Sequence, residues 1–211
     1  MATTKFSMSK ASWFFLLSVM LLVFVVIFRL LPSQDTPPEL RAVLHPHPIT
    51  LKPFSLIDQD EKPFTLMQLQ GKRTLLFFGY MSCPDICPTT LATLNQVYKK
   101  LGTIPGARAD LQVVFVSVDP ERDRPEKLAE YVHYFNPHFI GLTNNKQAID
   151  EFTRQLLTGY VLEEKQADGN YLISHTSSIF LIDPQARLIA TFSPPHQAKT
   201  LVSQYLLIKE M

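Results

Sequence analysis

The sequence predicts an α/β domain, a mixed central β-sheet flanked by helices, set behind one N-terminal transmembrane helix. Three observations predict it. Residues 11–28 form an apolar stretch without a single charge. Two nearly continuous apolar runs, residues 74–80 and 110–120, read as strands buried on both faces. Segments with apolar residues at helical spacing follow them, and a hairpin pattern comes late in the chain, which is the order of an α/β sheet mixing parallel strands with a hairpin. A chain of 211 residues, 46% of them hydrophobic, has enough apolar surface for one ordinary domain. Its net charge of +1 leaves no electrostatic footprint for nucleic acid. Two cysteines are too few for a framework of disulfides, so their role is local.

Residues 1–10 carry Lys5 and Lys10 and no acidic residue, which assigns this end to the cytoplasm. Residues 11–31 are the anchor. At ~1.5 Å rise per residue they match roughly the ~30 Å hydrocarbon core of a bilayer. Arg29 snorkels to the far interface, and Trp13 takes an interfacial position. A cleaved signal peptide would have a shorter apolar region ending in small residues, whereas this one ends in Phe-Arg-Leu-Leu-Pro. A mitochondrial presequence would be rich in Arg and Ser. The expected location is therefore the bacterial inner membrane, crossed once, with the C-terminal domain in the oxidising periplasm. Residues 32–50 read as a Pro-rich linker, because Pro32, Pro37, Pro38, Pro46 and Pro48 keep a chain extended and unpacked. His45 and His47 lie in it, and a solvated tether outweighs a metal-binding pair. Residues 51–211 are the folded domain.

Around residues 54–67, FSLID and PFTLM form two short strands about a turn at residues 59–62. TLLFFGY, residues 74–80, is the first buried strand. Leu91, Leu94, Val97, Tyr98 and Leu101 then recur at helical spacing, and Gly102 ends that helix. DLQVVFVSVDP, residues 110–120, is the second buried strand. Leu128, Tyr131, Val132 and Phe135 mark a helix opened by Pro125. Ile149, Phe152 and Leu156 mark another, before Gly159. SSIFLID and RLIATFS flank a DPQA turn as a hairpin, and Leu201, Tyr205 and Ile208 stripe a final helix. A cysteine pair just after the first buried strand, opening a helix, is the arrangement of a thioredoxin-like fold.

GYMSCPDICPTTL, residues 79–91, holds both cysteines, Cys83 and Cys87. On a helix this spacing puts the two sulfurs about 40° apart on one face. They can close on one ion or, from a loop, on each other. Pro84 and Pro88 suit a first helical turn. A helix N-terminus favours thiolate, the form that binds metal and the form that attacks disulfides, so this feature does not choose between them. A structural Cys83–Cys87 disulfide would close too short a loop to stabilise the chain much.

A third ligand bears on the choice. Among the six histidines, His133 reads as a helix-surface residue, His138 as part of an Asn-Pro-His-Phe turn and His196 as part of a helix start. His175 lies in LISHTSSIF, immediately before the hairpin strand, where a thioredoxin-like sheet packs beside the cysteine helix. Disulfide-exchange sites have a cis-proline there; this chain reads Ser174-His175-Thr176-Ser177. A lone histidine before a strand is more often structural, but next to the cysteine pair the ligand reading outweighs it. Two thiolates and one imidazole make a small, soft site that selects copper, as copper(I) or copper(II). Zinc would need a fourth ligand to close a structural site. An open side suits an ion that is received and passed on. Met81 reads as strand-end packing ahead of an accessory thioether contact.

With VSVDPERDRPEKL and YLISHTSSIFLIDP downstream, the cysteine motif forms a set that resembles the Sco/SenC family of membrane-tethered copper proteins, over roughly residues 50–207. The resemblance implies that Cys83, Cys87 and His175 bind copper. It implies delivery to the binuclear copper centre of cytochrome c oxidase by ligand exchange, the cysteine pair cycling between dithiol and disulfide. The implied partners are the copper-bearing oxidase subunit and an upstream copper chaperone or thioredoxin-like reductant. Asp119, in VDPERD, is implicated as a weak further ligand or a partner-recognition residue; a plain strand-end turn carboxylate stands equal to these. Family members commonly carry an aspartate before the ligand histidine, and Ser174 replaces it here, removing a carboxylate that would orient the imidazole.

The principal reading is a copper metallochaperone rather than a turnover enzyme. The alternative is a membrane-tethered thiol–disulfide reductase, with Cys83 and Cys87 as its redox pair, keeping the oxidase cysteines reduced. His175 separates them, being essential to the first and less so to the second. A peroxidase is disfavoured, because Tyr80 stands where the threonine preceding a peroxidatic thiol belongs.

Overall fold

The computed structural model describes residues 10–30, 36–167 and 169–211. The chain divides into two compact units, Met1–Pro38 and Glu39–Met211. In the first, helix α1, Lys10–Leu30, covers residues 11–30 of the predicted anchor. Its described side chains, those of residues 12–26, are all exposed. Among the described residues no helix is long and apolar enough to cross a membrane. The described side chains of α1 cover fewer than the ~20 residues a crossing needs, so the span predicted for residues 11–31 is not seen among them. The predicted cytoplasmic end, residues 1–9, and the start of the linker, residues 31–35, lie outside the described residues.

The second unit is built on strands β1 (Leu44–Thr50), β2 (Leu56–Asp58), β3 (Pro63–Phe64), β4 (Arg73–Gly79), β5 (Leu111–Ser117), β6 (Ile140–Thr143), β9 (Ile179–Ile182) and β10 (Arg187–Phe192). They form one mixed sheet in the order β1-β10-β9-β4-β5-β6-β2-β3. β4 and β5 run parallel, Phe77 beside Phe115 and Gly79 beside Ser117, while β9 pairs antiparallel with β4. β7 (Tyr160–Leu162) and β8 (Ile173–His175) form a separate two-stranded ribbon. The helices are α2 (Leu66–Leu69), α3 (Ile86–Gly102), α4 (Pro125–Phe135), α5 (Lys146–Gln155) and α6 (Ala198–Glu210). The chain has the thioredoxin-like architecture its sequence predicts, a mixed sheet flanked by helices.

The two apolar runs become the paired central strands. Every residue of β5 is buried, and so is β4 from Thr74 onward. α3 buries Leu91, Leu94, Val97 and Leu101, the predicted stripe, and α4 buries Leu128 and Val132. Pro125 opens α4 at its first turn, where a missing amide proton costs nothing.

The linker assignment needs correction. Leu40 is fully buried, and Leu44–Thr50 pairs antiparallel with β10, Ile49 opposite Leu188 and Thr50 opposite Arg187. Pro46 and Pro48 are tolerated because β1 lies at the sheet edge. The register shifts between Leu44 and Ile49, the stretch that carries both prolines. His45 lies within this strand, its Nε2 2.8 Å from the Thr191 hydroxyl.

Candidate metal centre

The site forms at one end of β4. Tyr80 follows that strand, and a turn closed by the Cys83 amide on the Tyr80 carbonyl (3.3 Å) leads into α3. The sequence leaves open whether the pair lies on the helix or in a loop that leads into it. The structure places only Cys87 on the helix, in the first turn, while Cys83 precedes the helix by three residues. The loop, not helical periodicity, brings the two sulfurs together. Its backbone is pinned from the segment that follows β5: Asp123 Oδ2 accepts from the Met81 amide (2.9 Å) and from the Ser117 hydroxyl at the end of β5 (2.6 Å). The Met81 side chain packs against the core, as predicted. Gly79 makes room beneath Cys87, since a Cβ there would lie 2.7 Å from the Cys87 sulfur and 2.8 Å from the Phe115 ring.

Both thiols are free; Cys83 is half-buried and Cys87 fully buried. The expected thiolate at the helix start is not what Cys87 shows. Burial pushes its thiol well above the ordinary range, and the Tyr80 backbone only partly opposes this. Desolvation here outweighs the helix N-terminus.

His175 ends β8, opposite Tyr160 on β7, and three residues separate it from β9. Its Nδ1 donates to the Thr176 carbonyl at 3.1 Å. A carbonyl only accepts, so Nδ1 carries the proton and Nε2 presents a lone pair. That Nε2 lies 3.4 Å from the Cys87 sulfur. Phe77 and Tyr80 meet the imidazole edge-on, with ring centroids at 5.9 and 6.0 Å. Burial holds the ring's pKa below its usual value, which keeps it neutral and ready to ligate.

The donor atoms of Cys83, Cys87 and His175 all lie within 4.8 Å of one another. Among the described residues no other group of three such side chains is close enough to hold one ion. The donors fit a soft ion: two sulfurs, and an imidazole whose tautomer is set by its other nitrogen.

The remaining predicted residues fall elsewhere. Asp119 is 2% exposed and outside the donor cluster, its carboxylate taken up by the Tyr171 hydroxyl (2.8 Å) and by Arg122. His133 and His138 are exposed, and the His138 amide closes a turn on the Asn136 side chain at 2.9 Å. The sequence places His196 at a helix start. Gln197 takes the cap position instead, and His196 Nε2 donates to the Ser177 carbonyl at 2.7 Å, two residues past His175. Ser174 donates to the Glu163 carboxylate at 2.6 Å, so a carboxylate does reach this ribbon, from the residue just past the facing strand. Sequence reasoning missed Asp123, Arg122 and Tyr171. The first two stand in the quoted VDPERD motif, and nothing in the spacing reveals which carboxylate turns inward.

A family model described as SCO1/SenC matches residues 44–206. The SCO2-like protein RP587 of Rickettsia prowazekii is 38% identical over 154 residues, covering 72% of this chain and 74% of its own. The crystal structure of Arabidopsis thaliana ScoI with copper bound superposes with a TM-score of 0.70 at 35% identity, covering 76% of this chain and 98% of that one. The crystal structure of yeast Sco1 with copper bound gives 0.71 at 29% identity, covering 78% and 91%.

Proposed function

The chain belongs to the SCO1/SenC family, and on that premise we propose that it is a copper metallochaperone that carries copper on Cys83, Cys87 and His175 to the binuclear copper centre of cytochrome c oxidase. The observation that carries this reading is the convergence of two thiol sulfurs and one imidazole nitrogen within 4.8 Å. Copper is the cargo. Cys83, half-buried, is the ligand an acceptor reaches first, and buried Cys87 releases last. The acceptor's own thiolates and imidazoles replace these ligands one at a time. The copper-bound relatives in plant and yeast support copper as the ion.

The anchor belongs to the same proposal. Residues 11–31 hold the chain in the bacterial inner membrane, with the folded unit in the periplasm. An alkaline phosphatase fused after Met211 would be active in that orientation and inactive in the reverse.

One observation favours a second reading. Cys83 and Cys87 are both free, with sulfurs within 4.8 Å, as a reducing dithiol requires. As a reductase the pair would form a disulfide, passing two electrons and two protons to a disulfide of the oxidase subunit. Mixing the chain with the oxidase's copper-bearing subunit separates the two. Copper moving from the loaded chain to the reduced subunit, and abolished by His175→Ala, supports the chaperone. Thiols appearing on the oxidised subunit, with His175→Ala as effective as the native chain, supports the reductase.

A further inference from the structure

Resting on the copper reading of the site, we infer that Asp119, Arg122 and Tyr171 form a latch that sets His175 in place. In this account Asp119 is a positioning residue that acts through Tyr171, and it does not ligate the ion.

The ribbon that carries His175 needs such a device. β8 has three residues and pairs only with β7, outside the main sheet. A two-stranded ribbon is marginal alone, so contacts with the rest of the fold must fix it. Tyr171, 5% exposed, stands two residues before β8, and its hydroxyl donates to Asp119 Oδ1 at 2.8 Å. The other Asp119 oxygen pairs with Arg122 Nε. The Arg122 guanidinium carbon lies 3.7 Å from the Tyr171 ring centroid and 5.7 Å from that of Tyr80. Arg122 thus stands between the residue that opens the cysteine loop and the residue at the root of the histidine ribbon.

Both carboxylate oxygens of Asp119 are engaged, and the Asp119 amide donates to the Ser117 hydroxyl at 3.0 Å. A carboxylate held in this way fixes a neighbour. Without the latch, copper must order the ribbon as it binds, and its apparent affinity falls by the fraction of chains already in the competent arrangement.

The test uses the full chain in detergent. Tyr171→Phe removes the hydroxyl and keeps the ring under Arg122; Asp119→Ala removes the carboxylate. Each variant and the double variant are made in the native chain and in a His175→Ala background. Two quantities are read: copper(I) affinity against a competing chelator, and amide hydrogen exchange of residues 173–175 in the copper-free chain. The latch predicts about tenfold weaker copper binding for Tyr171→Phe, no greater loss in the double variant than in Asp119→Ala alone, and no further loss without His175. It also predicts faster exchange in β8 for both single variants. If Asp119→Ala weakens copper while Tyr171→Phe leaves affinity and exchange at native values, Asp119 acts directly and the latch is overturned. Losses that persist in the His175→Ala background overturn it too, because the network then serves the fold at large. A native chain that takes up no copper refutes the copper reading, and hydrogen exchange then decides the latch by itself.

Discussion

His175 Nε2 faces the Cys87 sulfur at 3.4 Å, across a sequence separation of 88 residues. The contact joins the first turn of α3 to the end of a ribbon outside the main sheet. Neither element reaches the other through local structure, so the donor set exists only in the folded chain. Everything that fixes either side of the contact therefore bears on copper affinity.

Gly79→Ala presses directly on this contact. Its new Cβ would approach the Cys87 sulfur to 2.7 Å and the Phe115 ring to 2.8 Å, inside a packed core. Overpacking of this kind costs about 1–3 kcal/mol. The variant is expected to melt several degrees below the native chain and to bind copper(I) at least tenfold more weakly, as read by calorimetry and chelator competition.

Asp123 gives the fold a pH signature. Burial pushes its carboxyl up to about 6, with the Ser117 and Met81 hydrogen bonds opposing that rise. Its Oδ1 is buried and, among the described residues, has no hydrogen-bond partner. An unfolded aspartate titrates near ~3.9, so between that pH and about 6 the folded chain binds more protons than the unfolded one. Stability from this group is complete below the unfolded value and is lost as pH rises through the folded one. Asp123→Asn keeps an acceptor for the Met81 amide and does not titrate. Melting curves from pH 4 to 8 should show the native chain losing stability relative to Asp123→Asn over this window; parallel curves would contradict the assignment.

The edge strand is part of the domain. Leu40 is fully buried, and β1 covers β10. Leu40→Ala is expected to cost about 2–5 kcal/mol, the range for an emptied core site. A chain beginning at residue 51 should melt below one beginning at residue 39. Equal melting temperatures would return residues 39–50 to the role of a tether.

The sequence makes the long elements visible. Residues 74–80 and 110–120 announce β4 and β5 by apolar continuity, and the Leu91 to Leu101 stripe announces α3. Elements whose signal lies in their partners stay hidden. β6 has four residues including Gly141, and β7 and β8 have three each, too short for a period to show. β1 is masked by prolines that only an edge position tolerates. The cysteine spacing and the position of His175 before the hairpin strand single out three residues in the sequence, and the fold brings their donor atoms within 4.8 Å of one another. The orientation of the site is not legible in the sequence. The helix start suggested thiolate, but burial of Cys87 is a property of packing against Gly79 and Phe115. The family resemblance implicates Asp119 as a further ligand or recognition residue, level with a plain strand-end carboxylate; Tyr171, which takes up its oxygen, lies 52 residues away.

In the proposed function, Cys83, Cys87 and His175 hold one copper together. The most direct measurement is an anaerobic copper(I) titration of the reduced full chain against a competing chelator, beside Cys83→Ser, Cys87→Ser and His175→Ala. One tightly held copper per chain is expected, weakened at least tenfold by each substitution. Weak binding that is indifferent to His175→Ala would contradict it and leave the cysteine pair as a dithiol without a metal site.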